Sequence, residues 1–169
     1  MGDEAVSAAA VWTGGCQCGA VRYRLKSAPT NPHICHCRMC QKAVGNYFAA
    51  LARVPLTDIE WTRGTLAIFA SSSAVERGFC AACGTPLTYR FLPPGDRINI
   101  TLGSLDDPKA VPPIRQYGLE SQMPFFAHLH ESPGSITDNE IAPDVMAKLK
   151  SRQHPDHDTQ NWPAGEVGQ

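Results

Sequence analysis

The residues of this chain best suited to chemistry are its seven cysteines, which lie close together in three groups. The groups are Cys16-x-Cys18, Cys35-x-Cys37-x-x-Cys40 and Cys80-x-x-Cys83. Thiolates one or two positions apart on a tight loop can converge on one ion at about 2.3 Å each, the geometry of tetrahedral zinc sites. The spacing therefore predicts bound metal.

A disulfide framework is the alternative interpretation of clustered cysteines, and it suits short secreted chains with an even cysteine count. This chain has an odd count. Its first ten residues carry Asp3 and Glu4 and lack both the basic region and the long apolar run of a secretory signal. The sequence therefore favours reduced, metal-binding thiolates and a cytoplasmic location, where thiols stay reduced.

Seven thiolates divide naturally into four and three. Four thiolates saturate a zinc ion, whereas three leave a position open for water, a substrate or another ligand. The first cluster is defined as Cys16, Cys18, Cys80 and Cys83, and the second cluster as Cys35, Cys37 and Cys40. A site at the first cluster would tie the start of the sheet to its middle, which is a structural role. The second cluster lies within six consecutive residues and cross-links little.

The second cluster is therefore expected to do chemistry. A zinc ion with three thiolates is a weaker Lewis acid than one with three histidines, but it can bind a substrate thiol and keep its sulfur ionised. Thiol chemistry follows as the prediction. Two alternatives stay open: His33 or His36 could complete a closed site, or Cys37 and Cys40 could pair with the distant cysteines at 80 and 83.

Side chains beside the second cluster are candidates to contact a substrate. Arg38 and Lys42 could offset the negative charge of the thiolates or hold a substrate carboxylate, although solvated surface charge explains them equally well. Tyr47 and Phe48 could line a pocket, although strand residues of this type commonly belong to a core. His36 is a candidate for proton transfer, because histidine titrates near physiological pH.

Short strands joined by turns must position these groups, since the chain has fourteen glycines and fourteen prolines in 169 residues. Residues 21–26 alternate apolar and basic types, which is typical of a half-buried strand. Residues 41–44 predict one helical turn, and residues 143–150 a longer helix. Glu76 and Arg77 are expected to form an outward pair. Further strands are expected at 47–54, 59–62, 66–71, 86–91 and 97–102.

Length and charge limit the class of protein. The chain is most simply one domain, predicted over residues 10–150, and the polar run 151–169 is expected to be a disordered tail. A net charge of −1 argues against a general nucleic-acid-binding surface. No apolar run reaches about 18 residues, the length needed to span a membrane. Zinc is the one cofactor indicated.

Four sequence blocks resemble the glutathione-dependent formaldehyde-activating enzyme family, also named for centromere protein V. The order and spacing of the cysteines and their flanking glycines agree with that family from roughly residue 12 to residue 133. The blocks are Gly15-Cys-Gln-Cys-Gly-Ala-Val-Arg-Tyr23, Cys35-His-Cys-Arg-Met-Cys-Gln41, Arg77-Gly-Phe-Cys-Ala-Ala-Cys-Gly-Thr-Pro-Leu87 and Ile100-Thr-Leu-Gly-Ser-Leu-Asp-Asp-Pro108. Family members often carry a Pro-Trp pair where this chain has Met123-Pro124-Phe125-Phe126.

The resemblance implies a mainly β fold of the β-tent type, with small antiparallel sheets around a structural zinc and short helical segments. It assigns the structural zinc to the first cluster and a labile catalytic zinc to the second, two ions per chain. The implied activity is that of a carbon–sulfur lyase, which makes or breaks an S-hydroxyalkyl adduct between a small thiol, such as glutathione, and formaldehyde or another small carbonyl compound. The alternative is a non-catalytic zinc module that binds a protein partner.

Overall fold

The chain folds into short strands arranged in two sheets, with few helical residues. The computed structural model describes residues 12–93 and 95–163. The strands in these ranges are β1 Trp12–Gly15, β2 Arg22–Leu25, β3 Thr30–Cys35, β4 Ala49–Pro55, β5 Ile59–Arg63, β6 Ala67–Ser72, β7 Val75–Phe79, β8 Pro86–Phe91, β9 Arg97–Thr101 and β10 Arg115–Tyr117. The α-helices are α1 Arg38–Val44, α2 Thr137–Glu140 and α3 Pro143–Met146.

A three-stranded sheet and a seven-stranded sheet make up the fold. The small sheet has the order β1-β2-β5 and is antiparallel. The large sheet has the order β10-β3-β4-β9-β8-β7-β6 and is antiparallel except for the β10–β3 pair at one edge. The mainly β fold class predicted from the sequence is confirmed.

The main core lies between the small sheet and strands β4, β8 and β9 of the large sheet. Tyr23 of β2 is fully buried, its ring packs edge-on against Trp61, and its hydroxyl lies 2.8 Å from Ser104 Oγ. Leu87 and Ile100 are equally buried on the facing strands. Because apolar side chains of both sheets share this core, their burial helps to hold the two sheets together.

The strands predicted from the sequence are present with similar bounds. The largest difference is at the start of β4, which begins at Ala49 instead of residue 47. Four strands, β1, β3, β7 and β10, were not predicted, and β3 contains a proline, Pro32. The register of β3 with β4 is irregular between Thr30 and His33. Proline has no N–H to donate, so this irregularity accommodates Pro32 within a strand.

The helices differ in length from the predictions. Helix α1 begins at Arg38, earlier than the predicted turn, and ends at Gly45, whose φ of 64° is the left-handed conformation typical of helix ends. The helix predicted over 143–150 is wrong in length, since α3 ends at Met146 and buries none of its residues. A helix without a buried apolar face lacks the tertiary packing that stabilises further turns. None of the helices among the described residues is both long and apolar enough to cross a bilayer.

The C-terminal segment contacts the domain, in contrast to the disordered tail expected over 151–169. Residues 153–162, here called the strap, place Asp158 against Arg22 and Arg24 of β2 and bury the side chain of His154. The ion pairs of Asp158 join residues far apart in the sequence, so they could not be predicted from the polar composition of the segment. The predicted domain start at residue 10 and residues 164–169 lie outside the described residues.

Candidate metal centres

The first cluster joins two loops that follow different strands. Cys16 and Cys18 come directly after β1, whereas Cys80 and Cys83 come after β7. Their four sulfurs lie within 4.8 Å of one another, with 3.6 Å between Cys16 and Cys18 and 3.9 Å between Cys18 and Cys80. Four ligands at zinc–thiolate distance stand about 3.8 Å apart in a tetrahedron. The donor set therefore fits a closed zinc site that links the two sheets.

Hydrogen bonds to sulfur favour the ionised form of Cys83 in the first cluster, whereas burial raises the pKa of Cys18 and Cys80. The Val21 N–H donates to Cys16 Sγ at 3.2 Å, and the Thr85 hydroxyl lies 3.1 Å from Cys83 Sγ. Burial would raise the pKa of Cys83, but the hydrogen bonds from Thr85 and Cys18 together outweigh burial and lower this pKa to about 6. Gly84, directly after Cys83, adopts a φ of 76°. This left-handed conformation turns the chain back toward β8.

The second cluster is formed by one loop and the start of one helix. Cys35 ends β3, Cys37 is the N-cap of α1, and Cys40 lies in the first turn of that helix. Their sulfurs lie within 4.8 Å of one another. Among the described residues, no fourth cysteine and no histidine, aspartate or glutamate joins this group. Three thiolates without a fourth protein ligand fit an ion with one position open.

Neither nearby histidine completes the second cluster in the described structure. His33 Nδ1 is hydrogen-bonded to the Asn31 carbonyl oxygen at 2.8 Å. His36 is fully buried, its Nε2 lies 2.8 Å from Gln116 Oε1, and its ring packs edge-on against Phe126. The sulfurs group as four and three, as predicted. Cys37 and Cys40 lie with Cys35 and not with Cys80 and Cys83, so the alternative pairing does not match the structure.

Comparison with known proteins identifies the family of the chain. The model of a family described as glutathione-dependent formaldehyde-activating enzyme matches residues 11–120, more than half of the chain. The chain belongs to this family. A solved structure of a Rhodobacter sphaeroides protein, a Northeast Structural Genomics target, is similar in fold, with a TM-score of 0.50 at 22% identity. The match covers 62% of this chain and 98% of that one. The two-sheet architecture is thus the β-tent implied by the sequence.

The strap lies beyond the part of the chain that matches the glutathione-dependent formaldehyde-activating enzyme family, and it covers the loop of the first cluster. The His154 N–H donates to the Gln17 carbonyl oxygen, and Trp162 Nε1–H donates to the Cys18 carbonyl oxygen, both at 2.7 Å. A Cβ atom on Gly19 would lie 2.1 Å from the His154 ring. This contact was not predicted, because the histidine lies in a polar segment without a local signal for burial.

A buried arginine anchors the strap to the small sheet. Arg22 of β2 is only 3% exposed and donates two hydrogen bonds to Asp106, at 2.7 and 2.6 Å, and two to Asp158 of the strap, at 2.8 and 3.3 Å. Burial alone would raise the pKa of Asp158, but hydrogen bonds to Arg22 and Arg24 hold it below its ordinary value. Two carboxylates thus compensate the buried guanidinium.

Two aromatic residues of the turn before β4 contact the segment that carries Phe125 and Phe126. Tyr47 is half exposed and packs edge-on against Phe125, with ring centroids 5.0 Å apart. Phe48 packs in the same way against Phe126, at 5.5 Å. Phe126 also packs against His36, so the two phenylalanines supply an aromatic surface beside the loop of the second cluster.

The basic residues predicted as substrate contacts lie on the outer face of α1. Arg38 and Lys42 line a groove of about 350 Å³ together with Met39, Phe69 and Ser71. In the described ranges, neither basic side chain forms an ion pair with a carboxylate. The groove thus combines two uncompensated positive charges with apolar surface.

Arg77 contacts the second cluster from strand β7, and its expected place in an outward pair was wrong. Its side chain is only 8% exposed. Nη2 donates to Cys40 Sγ at 3.4 Å, Nε donates to Ser71 Oγ at 3.1 Å, and the guanidinium lies 4.9 Å from the centre of the Tyr89 ring. A hydrogen bond with Cys35 and the contact with Arg77 lower the pKa of Cys40 to about 5, although burial opposes this.

Proposed function

We propose that this member of the family is a carbon–sulfur lyase that makes or breaks an S-hydroxyalkyl adduct between a small thiol and formaldehyde or another small carbonyl compound. The observation that carries the proposal is the second cluster, in which three sulfurs converge and no fourth ligand from the described residues joins them. A closed site would suit a structural role, whereas a site of three ligands suits binding of a reactant.

We infer that zinc occupies both clusters. The donors are thiolates alone, which favour zinc over magnesium or calcium, and the sulfur separations of the first cluster match a tetrahedron. When bound at the second cluster, zinc would take the substrate thiol as a fourth ligand and favour its thiolate form. Because all seven thiols must stay reduced, we also infer a reducing compartment such as the cytoplasm.

Residues of α1 are proposed to hold the part of the thiol that does not react. Arg38 and Lys42 can each donate hydrogen bonds to a carboxylate, and such bonds between charged groups are stronger than those between neutral groups. The apolar side chains of Met39 and Phe69 line the same groove and can pack against a carbon chain. The substrate is therefore expected to be a thiol that carries a carboxylate, as glutathione does.

His36 is proposed to fix the ligand loop. Its backbone N–H donates to the Tyr117 carbonyl oxygen at 2.8 Å, and its carbonyl oxygen accepts from Gln41 Nε2 at 2.7 Å. These bonds hold the backbone between Cys35 and Cys37, so the two sulfurs keep a common direction. Tyr47 and Phe48, which lie on the aromatic surface beside this loop, are proposed to limit access of water to the carbonyl substrate.

The test is catalysis of adduct exchange. The zinc-loaded protein is mixed with ¹³C-formaldehyde and either glutathione or the uncharged thiol 2-mercaptoethanol, and NMR exchange spectroscopy measures the rate above the uncatalysed reaction. We expect acceleration with glutathione, loss of acceleration in Cys37→Ser, and a KM for glutathione raised about tenfold or more in Arg38→Gln/Lys42→Gln. The KM for 2-mercaptoethanol should stay unchanged in that double variant.

Failure of this test would favour the alternative of a non-catalytic zinc module. If no carboxylate-bearing thiol and no aldehyde of a broad panel reacts faster with the protein than without it, the enzyme proposal is wrong. Equal KM changes for charged and uncharged thiols would instead remove the proposed role of Arg38 and Lys42 while leaving the reaction itself in place.

A further inference from the structure

Arg77 is a buried cation without a carboxylate partner among the described residues. Of the ion pairs in the described ranges, none includes Arg77, and the neighbouring Glu76 pairs with Arg90 at 2.6 Å instead. A buried guanidinium that lacks compensating negative charge is strongly unfavourable. Some other anion must therefore compensate Arg77.

The second cluster contacts Arg77, and its cysteines would supply negative charge as the thiolate ligands of an ion. Cys40 Sγ accepts a hydrogen bond from Nη2, and Cys40 is itself buried. The other two contacts, with the Ser71 hydroxyl and the face of Tyr89, bring no full charge. The guanidinium thus lies with one edge toward the thiolates and another toward Ser71, which lines the groove of α1.

We propose that Arg77 is a positioning residue of the second site, which orients Cys40 and offsets the charge of the thiolates so that the site accepts an anionic sulfur as a further ligand. The proposal rests on the inferred zinc ion but not on any turnover. A divalent ion with three thiolates carries a net charge of −1, and a fourth thiolate makes it −2. A fixed positive charge in contact with one sulfur lowers the repulsion that the incoming thiolate meets.

The contacts of Arg77 require an arginine. A guanidinium donates in two directions in one plane and can stack on an aromatic face, whereas a lysine ammonium is a single charged point. Arg77 uses both properties, because Nε and Nη2 bond to different residues and the group lies over Tyr89. A lysine at this position would keep the charge but could not make the same set of contacts.

The first experiment measures metal and thiol binding in Arg77→Gln and Arg77→Lys. Arg90→Gln is the matched control, because Arg90 lies on the adjacent strand and pairs only with Glu76 among the described carboxylates. Zinc affinity is measured by competition with a fluorescent chelator. Cobalt is then substituted for zinc, and the sulfur-to-cobalt charge-transfer band is titrated with 2-mercaptoethanol. No aldehyde is present, so a failed lyase assay would leave these results unaffected.

In Arg77→Gln we expect one ion to be held as tightly as in the wild type and the second to bind 10–100-fold more weakly, the usual effect of losing a partner of a metal ligand. Thiol binding to the cobalt protein should weaken as well. Arg77→Lys should recover part of both affinities, and Arg90→Gln should match the wild type. Wild-type affinities in Arg77→Gln, or equal losses in Arg77→Gln and Arg77→Lys, would overturn the proposed role of the charge.

A further variant covers the case in which Arg77→Gln does not fold. Ser71→Ala removes the hydrogen bond that fixes Nε and leaves the arginine in place. We expect it to weaken binding of the second ion several-fold while the unfolding temperature stays close to that of the wild type. Unchanged affinity for both the ion and the thiol would contradict the positioning role.

Discussion

One cysteine-to-serine substitution in each cluster should separate the structural from the chemical site. We expect Cys80→Ser to abolish cooperative folding and Cys37→Ser to leave the fold nearly unchanged. The two substitutions remove the same sulfur atom and add the same hydroxyl. Any difference in stability between the two variants is therefore due to where the cysteine lies in the fold and not to the chemical change itself.

The expected loss in Cys80→Ser follows from the place of Cys80 in the core. Its side chain is 1% exposed, and its sulfur lies 3.9 Å from that of Cys18, on the loop that leads into the small sheet. Structural zinc sites contribute about 10–16 kcal/mol in zinc-finger peptides. A domain is stable by only about 5–15 kcal/mol in total. Weakening this site can therefore remove most of the free energy of unfolding.

The small effect of Cys37→Ser follows from its place at the N-cap of α1. Cys37 Sγ accepts a hydrogen bond from the Cys40 N–H at 3.3 Å, and a serine hydroxyl is a preferred acceptor at this position. The cluster spans only six residues, so loss of its ion frees little of the chain. We expect a loss of about 1 kcal/mol or less, which corresponds to roughly 2–4 °C in a chain of this size.

Circular dichroism melting curves and elemental analysis after dialysis test both substitutions together. Cys37→Ser should melt cooperatively near the wild-type temperature and retain one zinc per chain. Cys80→Ser should show no cooperative transition. If the two variants melt alike, or if Cys80→Ser keeps the wild-type melting temperature, the assignment of the clusters to different roles is wrong.

Two further predictions concern the strap and the buried arginine. Asp106→Ala leaves the guanidinium of Arg22 without its closest partner, so urea denaturation should show a loss of about 3–5 kcal/mol. Asp158→Ala, at a side chain 33% exposed, should cost about 1.5 kcal/mol, and a cost equal to that of Asp106→Ala would contradict this ranking. Gly19→Ala should displace His154 and speed proteolysis of the strap, since the new Cβ has no room and φ is 77°. Unchanged proteolysis would show that the strap does not depend on this contact.

The sequence predicted the parts of the molecule that depend on local spacing. The second cluster lies within six consecutive residues, so its spacing alone predicted it. The first cluster joins cysteines 62 or more positions apart, and its prediction needed the division of seven thiolates into four and three and the family resemblance. The contact of Arg77 with Cys40 joins residues 37 positions apart, and that of Arg22 with Asp158 joins residues 136 positions apart. The order of the strands in the sheets decides which residues these arginines contact. Neither pairing has a local signal: the alternation over residues 21–26 places Arg22 on the exposed face, and Arg77 had been expected in an outward pair with Glu76.

Strand β7 connects the two clusters, so the second cluster depends on the first more than the first depends on the second. Arg77 in the middle of this strand contacts the second cluster, and Cys80 just beyond its end belongs to the first. A change that releases Cys80 frees the end of β7 and with it the position of Arg77. A change in Cys37 alters only the loop before α1, which no ligand of the first cluster shares. We therefore expect Cys80→Ser to lose both ions and Cys37→Ser to lose one, and a Cys80→Ser protein that still bound the second ion at wild-type affinity would show that the sites are independent.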